Sequence, residues 1–88
     1  MTDRIELSLR GLPEWLIREY FLELGARPSA DPEAPTMLAD GWSVSWTWQR
    51  VPIPGSSLSL TQFDLVFTGR DLQHVHDDFM KKAQRGGG

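Results

Sequence analysis

The sequence contains no cysteine and no asparagine. Without cysteine there is no disulfide, no zinc–thiolate or iron–sulfur site, and no thiol nucleophile. Lack of Asn, with Arg far outnumbering Lys, fits depletion of thermolabile residues in a heat-adapted source, although a GC-rich genome also favours Arg. No apolar run approaches the length of a membrane-spanning helix. Met1-Thr2-Asp3-Arg4 leads straight into an alternating pattern, with no basic segment followed by a continuous apolar stretch. No secretory signal is visible, and a cytoplasmic location is expected. The net charge of -3 lacks the basic surplus that neutralises phosphates, which argues against nucleic acid as a partner. At 88 residues there is room for one core. We expect one domain over residues 1–85, followed by Gly86-Gly87-Gly88 as a flexible tail.

The strongest pattern present is Trp42-Ser43-Val44-Ser45-Trp46-Thr47-Trp48-Gln49-Arg50. Alternate side chains of a strand point to opposite faces, so this is a strand with one aromatic and one hydroxyl-rich side. Ile5, Leu7 and Leu9 alternate with Glu6, Ser8 and Arg10 in the same way. After Gly11, Pro13 suits a helix start, and Gly25 suits its left-handed C-terminal cap. Leu16, Ile17, Tyr20, Phe21 and Leu24 form the apolar stripe between them. Trp15 and Leu22 are expected to widen that stripe, with Trp15 packing at the sheet margin.

Ala26 to Pro35, with three prolines, is expected to be an irregular connection. Thr36 to Ala39 suggests a short strand, joined to the tryptophan strand through Asp40-Gly41 as a type I′ hairpin. A last strand covers Leu58 to Thr68, but Leu58 and Leu60 are out of phase with Phe63, Leu65 and Phe67. A bulge near Thr61-Gln62 would restore one apolar face; without it Leu58 and Leu60 lie on the wet side. Thr68-Gly69-Arg70-Asp71 has capping-box spacing, and a second helix is expected from about Arg70 to Gln84. Leu72, Val75, Phe79 and Ala83 form its buried stripe, with His76 and Met80 alongside, and Asp77–Lys81 and Asp78–Lys82 as ion pairs. The expectation is an α+β two-layer sandwich of order β-α-β-β-β-α. Its four-stranded, largely antiparallel sheet would carry both helices on one face, burying the tryptophans.

Chemistry-bearing clusters are sparse. In His74-Val75-His76-Asp77-Asp78 the two histidines diverge by about 200° on a helix and cannot share an ion. His74 with Asp77 or Asp78 supplies two ligands where a metal site needs three or four. The serines lack a nucleophile elbow, and the glycines form no phosphate loop. No catalytic residue, metal or cofactor is expected. The polar sheet face, carrying Arg10, Ser43, Ser45, Thr47 and Gln49 with Trp48 at its rim, is the candidate binding surface.

The last five elements have the order of a double-stranded-RNA-binding domain. Arg70-Asp71-Leu72-Gln73 stands where that family has a lysine cluster, and Lys81 and Lys82 fall at the wrong end of the helix. The full order resembles a small family of bacterial domains from heat-loving organisms. That likeness rests on Leu12-Pro13-Glu14-Trp15-Leu16 after the first strand and on the tryptophan strand. It implies a fold and no activity. The reading is a non-enzymatic interaction module that associates with itself, or with another protein, through the sheet face or an edge strand. A small-ligand or nucleic-acid sensor and an accessory subunit of an enzyme are its alternatives.

Overall fold

The computed structural model describes residues 3–87, with side-chain surroundings over 3–84. The elements are β1 (Asp3–Arg10), α1 (Glu14–Glu23), β2 (Arg27–Pro28), β3 (Thr36–Ala39), β4 (Trp42–Pro52), β5 (Ser59–Gly69) and α2 (Leu72–Gly87). They build one sheet in the order β1-β5-β4-β3-β2, with every neighbouring pair antiparallel. The α+β class stands, but the sheet has five strands and not four. The extra strand is β2, inside the proline-rich stretch expected to be irregular. It pairs with Met37 and Leu38, and its Pro28 lies at the sheet margin, where a missing N–H does no harm. Two residues are too few for alternation to register in a sequence.

Val44, Trp46, Phe63, Leu65 and Phe67 are buried with Ile17, Tyr20 and Phe21 of α1 and Leu72, Val75, Phe79 and Ala83 of α2. Phe21 sits at the centre. Its ring stacks on Phe79 at 4.5 Å and meets Phe67 edge-on at 5.7 Å, so both helices and the sheet share one aromatic cluster. At the end of α1, Gly25 N–H donates to Leu22 O and Ala26 N–H to Phe21 O, with Gly25 at φ 97°. These two bonds form a Schellman cap, which satisfies carbonyls the helix would otherwise leave open. Trp15 and Leu22 do not widen the apolar stripe. They are exposed, and two turns apart they share the outer side of α1, roughly opposite Ile17 and Phe21.

The Asp40-Gly41 hairpin forms and pairs Ala39 with Trp42. Asp71 is the one non-glycine residue at positive φ among the described residues, so this turn is left-handed at Gly41 alone and is not type I′. Gly69 lies against it. A Cβ there would meet Gly41 O at 2.3 Å and Trp42 Cα at 2.5 Å, a close approach that only glycine permits.

No bulge interrupts β5. Thr61 pairs with Arg50 and Gln62 with Gln49, in an unbroken register from Trp42–Gly69 to Pro52–Ser59. Leu60 therefore points to the wet side and Leu58, just before the strand, is exposed. This end of the hairpin lies beyond the helices, so no core draws the leucines across.

The helix α2 starts at Leu72, later than expected, because the capping box does not form. The Thr68 hydroxyl bonds Ser43 at 2.9 Å, and Asp71, at φ 55°, turns the chain into the helix. Neither expected Asp–Lys pair forms. Lys82 reaches Glu23 of α1 at 2.8 Å, and Asp78 takes His74 at 3.2 Å. The expected glycine tail meets the end of α2 at Gly87, and Gly88 lies outside the described residues.

Candidate interaction surface

Five of the six residues singled out in the sequence come together on the helix-free face. Ser43 stands opposite Thr68, Ser45 opposite Val66, Thr47 opposite Asp64 and Gln49 opposite Gln62, while Arg10 reaches Gln62 from the other side. A chain of polar contacts crosses from β1 to β5. Ser8 Oγ donates to Asp64 Oδ1 at 2.7 Å, Gln62 Nε2 donates to the same oxygen at 2.9 Å, and Arg10 Nε donates to Gln62 Oε1 at 2.8 Å. The Ser8 and Gln62 hydrogen bonds, with the Arg10 charge nearby, hold the Asp64 carboxyl below its ordinary range. Among the described residues Ser45, Thr47 and Gln49 have no side-chain hydrogen-bond partner, leaving their donors and acceptors to solvent or to a ligand. A shallow depression there is lined by Glu6, Thr36, Ser45, Thr47, Asp64 and Val66.

Trp48 is the exception. It shares the parity of Val44 and Trp46 and so lies on the helix side of the sheet, not on the open face. It is nevertheless exposed, because the sheet narrows here. Pairing of β3 to β4 stops at Ser45, and pairing of β1 to β5 stops at Arg10–Gln62. Beyond those points β4 and β5 run on as a two-stranded arm to Pro52–Ser59. At the base of the arm a groove is lined by Glu14, Trp48, Arg50, Thr61 and Phe63. The sequence reading missed Glu14, Arg50, Thr61 and Phe63 as neighbours of Trp48. The usable signal was strand length, since the two hairpin strands outrun the segments available to flank them.

One residue along the same face, Trp46 is held tightly. Its Nε1 donates to Glu14 Oε2 at 3.1 Å, and the Arg18 guanidinium lies 5.0 Å from the ring centroid. Arg18 also donates to the carbonyls of Pro32 and Ala34, pinning the β2–β3 connection over the tryptophan.

His74 and Asp78 make a two-residue pair, His76 turns to Asp77 instead, and no group of three potential metal ligands occurs among the described residues. No described helix is long and apolar enough to cross a membrane. This geometry is suited to recognition. It offers a hydrogen-bonding sheet face on one side and, on the other, an exposed indole beside a charged groove.

Residues 5–88 match the family described as archaeal MoaD-like protein. The bacterial family of the sequence resemblance is corrected accordingly. No curated protein matches the chain.

Proposed function

Because the chain belongs to the archaeal MoaD-like family, we propose that it is a small sulfur carrier that docks on partner proteins and is not itself an enzyme. The observation that carries the reading is the reach of the family match, which extends through Gly86-Gly87-Gly88. The chain has no cysteine, so it cannot hold sulfur as a thiol or persulfide. A carboxyl group can hold it instead, as a thiocarboxylate. Three glycines suit that task, since a backbone without side chains can enter a narrow site on another protein. The reading requires Gly88 to bear the free carboxyl. It also requires a partner to activate that carboxyl, since this sequence has no phosphate-binding glycine loop. Docking on such a partner gives the open sheet face and the Trp48 groove their use.

Intact-mass spectrometry of protein drawn from its own cells tests this. A species heavier by the exchange of one oxygen for sulfur should appear, and iodoacetamide should alkylate it although the chain has no thiol. Gly87→Val should prevent loading without lowering the melting temperature. A uniformly unmodified mass, with no alkylation and no effect of Gly87→Val, overturns the carrier reading.

A further inference from the structure

We propose that β1 is a docking edge for a second copy of the chain, two β1 strands pairing antiparallel about a twofold axis through Ser8. The inference is independent of the carrier reading, because the glycine run takes no part in it.

The two margins of the sheet differ in kind. One ends in β2, two residues long and carrying Pro28, which gives an incoming strand little to bind. The other ends in β1, eight residues long, paired to β5 without interruption and containing no Pro, Gly or Lys. Its outer row of backbone groups meets no strand among the described residues. The length of β1 and its unbroken ladder leave charge as the one guard on this edge, in Asp3, Arg4, Glu6 and Arg10. A partner must match that charge to pair here.

The direction of those groups follows from the ladder. Gly11 N–H donates to Thr61 O, one step past the Arg10–Gln62 pair. Odd-numbered residues of β1 therefore turn their N–H and C=O towards β5, and Arg4, Glu6, Ser8 and Arg10 turn theirs outward. A second β1 must place even residues opposite even residues, which also keeps both sets of helices on one side of the joined sheet.

Charge and apolar matching together select among the registers that remain. An axis through Ile5 pairs Arg4 with Glu6 but sets Leu7 against Asp3 on the helix side, and an axis through Leu9 sets Glu6 opposite Leu12 with no ion pair. An axis through Glu6 opposes two carboxylates, and an axis through Leu7 opposes Arg4 to the second copy's Arg10. Like charges directly across a strand pair are unfavourable. An axis through Ser8 instead sets each Glu6 opposite the second copy's Arg10, twice, with Ser8 facing Ser8. On the helix side it sets Leu7 against the second copy's Leu9, and both leucines are only half-buried in one chain. Glu6 is free to be shared, since its bond to Arg4 is at the surface, with side chains 63% and 67% exposed.

A chain without cysteine lets one introduced thiol report the register. Facing residues of a hydrogen-bonded antiparallel pair have Cα atoms about 5.5 Å apart, inside disulfide range. Under mild oxidation Ser8→Cys should form a covalent dimer about tenfold or more faster than Glu6→Cys or Arg4→Cys, whose thiols would lie several residues apart. Sedimentation velocity supplies the second reading. The wild-type mass should rise with concentration, Glu6→Arg should hold the protein at monomer mass, and Glu6→Arg with Arg10→Glu should restore association. Equal cross-linking of the three cysteine variants, faster cross-linking of Glu6→Cys, a wild type that stays monomeric, or a charge swap that restores nothing would overturn the proposal.

Discussion

Trp46 and Trp48 stand two residues apart on one strand and point to the same side of the sheet, yet they are 2% and 61% exposed. Parity settles which side a strand residue takes. What lies over that side settles whether it is buried. Trp46 has α1 above it, with Phe21 stacked at 6.2 Å, Glu14 on its indole N–H and Arg18 against its ring. Trp48 lies past the start of α1, whose first residue, Glu14, lines one side of a groove that Trp48 shares with buried Phe63. Within two positions the same residue type passes from core to solvent-exposed surface.

The sharpest test of this contrast is truncation of each indole. Trp46→Ala removes a buried aromatic and strips Glu14 and Arg18 of their shared partner, so unfolding free energy from denaturant titration should fall by about 3–5 kcal/mol. Trp48→Ala should change stability by less than about 0.5 kcal/mol, because little packing is lost. Its effect should appear in binding, where an exposed indole beside a groove is the kind of anchor whose loss weakens a partner about tenfold or more. Equal destabilisation by both truncations would mean that the arm is covered in solution and that the contrast is false.

The smallest effect is expected on the open face. The Asp64 carboxyl is held below its ordinary value of 3.8, first by Ser8, then by Gln62. A carboxyl depressed in the folded chain stabilises it above the unfolded value, and that contribution disappears as pH falls through the lower folded value. Ser8→Ala should raise the Asp64 titration towards 3.8, read by carboxyl carbon NMR, and slightly flatten the acid limb of stability. An unmoved Asp64 would show that the Ser8 contact does not form in solution.

Much of this was legible in the sequence because alternation and helical stripes repeat over enough residues to be read. The faces of β1 and β4, the Phe21 and Phe79 stripes and the Asp40-Gly41 hairpin are of that kind. What was not legible depends on tertiary cover. The expected bulge at Thr61-Gln62 assumed that every leucine seeks the core, whereas Leu58 and Leu60 lie where there is no core to seek. Trp15 is expected at the sheet margin by its residue type, whereas its helical angle turns it away from Ile17 and Phe21 and leaves it exposed. Thr68 matched a capping box and was claimed instead by Ser43, a residue distant in sequence that only the folded sheet brings near. On the surface, alternation picked out the open-face residues correctly but could not tell that Trp48 belongs to a different surface.

The pairing of β1 with β5 has a consequence in time. Asp3 lies opposite Gly69, so β1 is completed by a strand made only after α1, β2, β3 and β4. The β3–β4 hairpin can close as soon as it is made, and β5 can add to it directly. Ile5, Leu7 and Leu9 must wait through all of this with their ladder open. Contacts of such long sequence separation slow folding, because the loop between them is closed before they give anything back. β1 is thus seated after strands that follow it in the chain, and the β1–β5 pairing is the contact expected to be slowest to form.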